Sequence, residues 1–462
     1  MRLSHALVTA LLLVASPLLA REWKVPAATG VIGVDVEQLD PQYWIQRQAN
    51  ADRVVLDTTA IAEQNARLHA RDRSVHDLAT LPAALTREQV AAWLQPLSAR
   101  PDKPLYGEDG QPIAAATLAA VIDNASPGTI PPQQDTRYGL VVHRADLRTF
   151  PTALRVFAAK DDHDIDRFQE SALFPGDPVA IVHESRDGAW WFVVNTRYAA
   201  WIEKRWVAEG TKEAVLDYTR KTPYRIVTDA KVRTLFTPEE PAVSELQLDM
   251  GVRVPLLADW PQDQPVNGQH VYTSYVIELP VRNRDGTLRF APALLPRREP
   301  SSAGYLALTR RHVIEQSFRF LGERYGWGHD YNGRDCSGFV SEVYRSMGVE
   351  LPRNTGDQAV SPAFNRIAFE ETHGRAKRLA LLRELQVGDL VYIPGHVMMV
   401  IGQVDGEPYV IHDTAGLSWR SGDGTAVRAK TNGVTVSPLT PLMFDDSQTY
   451  VDRITNIQRI RP

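Results

Sequence analysis

Gly333-Arg334-Asp335-Cys336-Ser337-Gly338-Phe339-Val340 carries the single cysteine of the 462-residue chain. From that cysteine the apolar positions Phe339, Val340, Val343, Tyr344 and Met347 recur at the spacing of one helix face, and Gly348 supplies a stop signal. The spacing therefore predicts a helix beginning at Cys336. A thiol in the first turn of a helix meets the positive end of the helix dipole and unpaired backbone N–H groups, which favour thiolate over thiol. Such a cysteine is disposed to act as a nucleophile. The bland alternative is a small buried hydrophobe, and the downstream sequence decides between the two.

Val387-Gly388-Asp389-Leu390-Val391-Tyr392-Ile393 reads as a turn into a strand. Pro394-Gly395-His396 leads into a second apolar run, Val397 to Ile401, and Tyr409-Val410-Ile411-His412 follows an Asp405-Gly406 turn signal. A hairpin about that turn makes His396 and His412 neighbours to within a residue or two of register. Cross-strand neighbours on one face lie roughly 4.5 to 5.5 Å apart at Cβ. His396 is then placed to take the thiol proton and His412 to hold the imidazole in one tautomer, the logic of nucleophile, base and orienter.

Six strings in this order resemble the NlpC/P60 cysteine peptidases: Arg324-Tyr325-Gly326-Trp327-Gly328, Asp335-Cys336-Ser337-Gly338-Phe339-Val340, Leu351-Pro352-Arg353, Val387-Gly388-Asp389-Leu390, Gly395-His396-Val397 and Val410-Ile411-His412. The resemblance covers about residues 305 to 445. It implies a papain-like fold and a Cys-His-His set that cleaves cell-wall peptides, typically between γ-D-glutamate and meso-diaminopimelate. Carried over by motif, Cys336 is nucleophile, His396 base and His412 the third polar residue, with Tyr325 matching a family tyrosine near the thiolate. His329 departs from the pattern, standing where the family commonly has a second glycine. In members that act on peptides with a free L-Ala amino terminus, an acidic residue at the place of Asp335 binds that ammonium; capping the loop is the competing role. Ser337 and Arg353 are compatible with substrate contacts or with structural ones.

The implied mechanism has a Cys336 thiolate attacking the γ-D-glutamyl carbonyl, with backbone N–H groups at the helix start and the Tyr325 hydroxyl holding the oxyanion. An ion pair near neutral pH requires both ordinary values, about 8.5 for cysteine and about 6.5 for histidine, to be shifted. The helix dipole and mutual attraction are expected to supply those shifts.

Working back to the start, Arg2 and His5 precede an apolar run from Ala6 to Ala15, then Ser16-Pro17-Leu18-Leu19-Ala20 and polar Arg21-Glu22. This reads as a secretory signal peptide over residues 1–20, with retention as an anchor the alternative because Leu18 is large for a cleavage site. Residues 21–126 are expected to be a helical N-terminal domain, with Asp40-Pro41 and a Thr86/Gln89 capping box as helix starts. Pro127 to Gln134 reads as a linker opening an SH3-like domain over 127–209. Its short β-rich runs are Tyr138 to His143, Ala153 to Phe157, Pro178 to His183, Ala189 to Asn195 and Ala200 to Trp206. A second SH3-like domain over 210–300 is expected from the echo of Pro175-Gly176-Asp177-Pro178-Val179 in Met250-Gly251-Val252-Arg253-Val254. Residues 301–462 complete the reading as the catalytic domain, so the expected fold class is multi-domain α+β. Trp190, Trp191, Trp201 and Trp206 are assigned to barrel cores, while an exposed Tyr138 or Asp135 near the active site is a further expectation.

A net charge of −5 without long runs leaves no electrostatic footprint for nucleic acid. One cysteine excludes an intramolecular disulfide, and an unpaired thiol in an oxidising compartment itself points to chemistry. The partners expected are peptidoglycan stem peptides or muropeptides, met by a secreted, periplasmic monomer with no cofactor. Three rivals stand beside this reading. Zinc could be held by Cys336, His396 and His412; the protein could be a non-catalytic cell-wall binder; or the papain-like core could serve an amidase or acyltransferase on another substrate.

Overall fold

The computed structural model describes residues 23–461, so the signal-peptide reading of residues 1–20 lies outside the described residues. Among these residues no helix is long and apolar enough to cross a membrane. The N-terminal part runs through α1 (Pro41–Ile45), β1 (Val54–Leu56), α2 (Thr58–Arg71), β2 (Ala84–Thr86), α3 (Arg87–Leu97), α4 (Ala115–Asn124) and β3 (Gln133–Asp135). The two expected helix starts are present. Asp40 accepts from the Gln42 amide at 2.8 Å, and Thr86 and Gln89 form a reciprocal capping box. The stretch is less purely helical than expected, because β2 pairs with β3 inside the anticipated linker. Its apolar side chains also serve two different cores. Val34, Trp44, Ile45 and Ile61 enter the C-terminal one, whereas Leu78, Leu85, Val90 and Leu94 cover the next sheet.

That sheet contains β4 (Arg137–Val141), β5 (Ala145–Arg148), β6 (Gln169–Leu173), β7 (Pro178–Glu184), β8 (Trp190–Val194), β9 (Ala199–Glu203) and β10 (Val207–Gly210) in the order β10-β4-β7-β8-β9-β5-β6. Successive side chains alternate faces along a strand. Trp191 and Val193 enter the enclosed core, while Trp190, Phe192 and Val194 meet α3 and α5 (Lys212–Tyr218) on the other face. Apolar cover on both faces explains the unbroken run Trp190 to Val194. The strand expected over Ala153 to Phe157 is instead irregular, tied to the N-terminal part by a bridge between Phe157 and Tyr106. Tyr138 is 4% exposed and sits in the outer core rather than at any site, which corrects that expectation.

The next unit comprises β11 (Tyr224–Val227), β12 (Lys231–Arg233), β13 (Gln247–Asp249), β14 (Arg253–Pro255), the long hairpin β15 (Ser274–Arg282) and β16 (Leu288–Pro296), and β17 (Ser301–Ser302) around one apolar core. The echo noted in the sequence has a physical counterpart. Gly176 and Gly251 both take positive φ, 89° and 77°, at the turns entering β7 and β14.

In the C-terminal part, β18 (Leu308–Thr309) pairs with β1, and α6 (Arg310–Phe318) precedes α7 (Cys336–Arg345), α8 (Thr355–Val360), β19 (Asn365–Ala368) and α9 (Arg375–Leu382). Then come β20 (Leu390–Ile393), β21 (His396–Val404), β22 (Glu407–Thr414), the hairpin β23 (Leu417–Arg420) and β24 (Ala426–Ala429), β25 (Gly433–Pro438), α10 (Tyr450–Arg453) and β26 (Asn456–Arg459). Six of these strands form an antiparallel sheet in the order β19-β26-β20-β21-β22-β25. Val397, Met399 and Ile401 face the core shared with α7, and Met398 and Val400 face the second core behind. The sheet is thus packed on both faces, and α7 lies across the strands that carry the histidines.

Candidate active site

Asp335 caps α7, accepting from the Gly338 amide at 2.8 Å, so Cys336 occupies the first helical position as the sequence predicts. Phe339, Val340, Val343, Tyr344 and Met347 are all buried, and Gly348 ends the helix with φ of 80°. The thiol is buried, its Sγ lies 3.5 Å from Thr355 Oγ1, and the Val397 amide donates to it. Cys336 is thereby held against the first residues of β21.

Pro394-Gly395 turns β20 into β21, with Ile393 paired to His396 and Gly395 at φ 78°. This is the Pro-Gly pattern of a type II turn. Asp405 and Gly406 both take positive φ at the β21–β22 turn, the type I′ hairpin signature. A bulge between Val400 and Gly402 shifts the register, so that Met399 pairs with Ile411 and the two histidines are diagonal neighbours. His396 Nε2 and His412 Nδ1 share a hydrogen bond of 2.7 Å, and His412 Nε2 reaches Ser437 Oγ at 3.1 Å. If the His396 proton is on Nε2 and the His412 proton on Nε2, both bonds are satisfied and His396 Nδ1 keeps a free lone pair. Among the described residues no group of three or more His, Cys, Asp or Glu side chains is arranged to hold a metal ion.

Burial pushes the Cys336 thiol up to about 11, and the neighbouring Asp335 carboxylate adds to it against the hydrogen bonds from Thr355 and Val397. Burial also pushes His396 down to about 4. Cys336 is therefore a neutral thiol and His396 a neutral imidazole, not the ion pair expected from the helix dipole. Desolvation outweighs the dipole because both groups lie inside the fold. Tyr325 is 8% exposed, and burial together with the nearby Cys336 and Asp335 raises its phenol.

The three remaining sequence candidates form one buried cluster. Arg353 donates to Asp335 Oδ2 at 2.7 Å, to Ser337 Oγ at 2.9 Å and to Ser171 Oγ of β6 at 2.7 Å. Asp335 also accepts from the Gly328 amide at 3.0 Å. Burial works against its ionisation, but the Arg353 guanidinium overrides that and holds the carboxyl down to about 2. His329 completes the cluster, accepting on Nδ1 from Arg353 at 3.0 Å and donating from Nε2 to Glu342 at 2.9 Å. Burial, then Arg353, keeps it neutral. His329 takes φ of 68°, the conformation that favours glycine. The departure from the family pattern thus keeps the loop shape and uses the ring as a bridge.

Sequence reasoning missed the contributions of the seven-stranded sheet. Trp327 Nε1 donates to the Gln169 carbonyl at 3.0 Å, and Gln169 Nε2 donates to the Gly328 carbonyl at 2.9 Å. Close by, the Tyr198 hydroxyl donates to Glu170 within the field of Arg353 and Asp335. Arg334, fully buried in the loop before Cys336, pairs with Glu323, Glu342 and, across from β13, Asp249; Asp249 also takes Arg144 at 2.6 Å. No local periodicity marks such long-range pairs.

The pattern of the NlpC/P60 family matches residues 322–453, and that of an SH3 domain (SH3b1 type) matches residues 155–203. The chain is 27% identical over 217 residues to a gamma-D-glutamyl-L-lysine dipeptidyl-peptidase of Bacillus cereus (strain ATCC 10987 / NRS 248), covering 44% of this chain and 54% of that protein. It therefore spans about half the length of that relative. A protein of the same name from Bacillus subtilis (strain 168) is 40% identical over 52 residues, 11% of this chain and 18% of that protein. In the solved structure of an NlpC/P60 endopeptidase from Photobacterium damselae subsp. piscicida, 96% of the chain superposes on 91% of this one, with a TM-score of 0.73 and 16% identity, a likeness of fold. The chain accordingly carries an SH3 domain of the SH3b1 type ahead of a C-terminal NlpC/P60 domain.

Proposed function

We propose that the protein is a cysteine peptidase that hydrolyses the bond between γ-D-glutamate and the L-diamino acid, meso-diaminopimelate, in peptidoglycan stem peptides. The observation that carries this reading is the 2.7 Å bond between His396 and His412 beside a cysteine on the first position of a helix. His396 Nδ1 takes the thiol proton as Cys336 Sγ attacks the γ-glutamyl carbonyl carbon. The oxyanion forms at the helix start, where unpaired N–H groups point outward, with the Tyr325 hydroxyl as a further donor. The protonated imidazole then gives its proton to the departing amine, leaving a thioester. It next takes a proton from water, whose oxygen displaces Sγ and releases the acid.

Asp335, Ser337 and Arg353 belong to this reading as the floor of the substrate pocket. Their mutual bonds hold the loop that precedes Cys336. Action outside the cytoplasmic membrane, in the periplasm, is supported by the signal-like residues 1–20 and by the match to the NlpC/P60 family. The test is incubation of the purified protein and a Cys336→Ala variant with muropeptides bearing a free L-Ala terminus, the products read by mass spectrometry. Release of L-Ala-γ-D-Glu by the unmodified protein alone is expected. Failure of both proteins to cleave, with Cys336 still open to alkylation, would refute the substrate; equal cleavage by both would refute the nucleophile.

A further inference from the structure

At the far end of the ten-residue α7 from Cys336, about 14 Å along an axis rising 1.5 Å per residue, three parts of the chain meet around a cavity of about 310 Å³. Arginines enter it from each. Arg197 comes from the turn between β8 and β9, Arg253 opens β14, and Arg345 closes α7. Two carboxylates, Asp177 and Glu350, also line the cavity, and both are already engaged. Asp177 accepts from Arg345 Nη2 at 2.8 Å and from the Phe174 amide at 2.9 Å, while Glu350 pairs with His69 at 2.8 Å.

Donors remain unanswered. Arg253 Nη1 and Arg345 Nη1 are buried without a hydrogen-bond partner, and the Arg197 guanidinium has none among the described residues. Burial, then the proximity of Arg345, depresses Arg197 to about 10. The close approach of Arg345 is built in, because a Cβ at Gly251 would lie 2.7 Å from its Cγ. Only glycine lets that side chain lie against the turn. Guanidinium forks are matched by oxyanions, which offer several acceptors and offset the charge at once.

We propose that this cavity binds a small polyvalent oxyanion, a phosphate group, that bridges Arg197, Arg253 and Arg345 and ties the two β units to the C-terminal end of α7. The site is separate from the peptidase reading and does not rest on it. The ligand is either free inorganic phosphate or a phosphate monoester on a small sugar, and the two arms of the test distinguish them.

Thermal unfolding of the full chain is measured against inorganic phosphate and against glucose 6-phosphate, ionic strength being held constant with sodium chloride. A saturable rise in midpoint is expected, roughly 3–5 °C at a hundredfold excess over Kd. A larger rise with the sugar phosphate identifies the monoester as the natural source, and an equal or smaller one identifies the free ion. The Arg197→Gln variant, which forfeits no hydrogen bond, is expected to fold, to keep the alkylation rate of Cys336 and to lose most of the rise. Phosphorus NMR line broadening by the unmodified protein but not by the variant gives the same answer without heating. A rise no greater than with chloride alone, or one unchanged in Arg197→Gln, overturns the proposal.

Discussion

Raising the pH from 6 to 10 is expected to speed alkylation of Cys336 by a neutral reagent such as iodoacetamide about tenfold per unit, with no plateau. The number follows from burial. A thiol pushed up to about 11 from an ordinary value of about 8.5 has a few hundredfold less thiolate at neutral pH, about one part in 10⁴ at pH 7. His396, held near 4, stays neutral across this range and contributes no charge to stabilise the sulfur anion. The His396→Ala variant should therefore alkylate within about threefold of the parent at each pH, although its peptide hydrolysis collapses. The assay is the pseudo-first-order loss of free thiol, followed by intact mass on both proteins, which have no second cysteine to confuse the signal. A rate that is flat from pH 5 to 8 and falls sharply in His396→Ala would refute the reasoning. That result would mean that the thiolate-imidazolium pair exists before substrate arrives and that the helix dipole outweighs desolvation.

Four further outcomes can be checked. His412→Ala removes the partner that fixes the His396 tautomer, and hydrolysis should fall on the order of 10²-fold or more while Cys336 alkylation is unchanged. Arg353→Ala leaves the Asp335 carboxylate buried without its counter-charge and should cost about 3–5 kcal/mol in urea unfolding. Gly338→Ala places a Cβ 2.5 Å from His329 Cε1 and should cost about 1–3 kcal/mol by overpacking, measured the same way. The pH dependence of stability carries a definite sign at His396. Its folded value near 4 lies below the 6.5 of an unperturbed group, so the unfolded chain binds more protons in that window. Stability is full above about pH 6.5 and falls as the pH drops towards 4, by about 3 kcal/mol at most from this group, and His396→Gln should flatten that limb.

The features legible in the sequence were those written in consecutive residues. The start and stop of α7, the turns on either side of β21 and the approach of His396 to His412 all follow from periodicity and turn chemistry. The even offset that puts His396 and His412 on one face depends on a bulge after Val400, which no pattern announces. Strands β5 and β6 show no strand pattern in the sequence because they bury polar side chains: Arg148, 5% exposed, pairs with Asp166, and Gln169 is 1% exposed. The alternation that marks a strand is lost when the inward positions are charged. Thr355 and Ser437 escaped notice for a different reason, being hydroxyls in ordinary company whose meaning depends on what folds against them. Tyr138 was expected at the surface of the site, and its ring instead fills the core beneath α3 and α5.

The seam between the two ends of the chain has a consequence for how the molecule is made. Trp44 lies fully buried among side chains of α7 and β21, Gly33 accepts from the Tyr409 hydroxyl across 376 residues, and Asn65 bonds the Gly348 carbonyl across 283. Gly33 and Asn65 thus meet their partners only after the residues around Tyr409 and Gly348 have been made. Contacts of such separation are slow to form, and until then Trp44 has nowhere apolar to go. The core that holds Cys336 cannot close before these distant segments meet, because α1 supplies one of its walls.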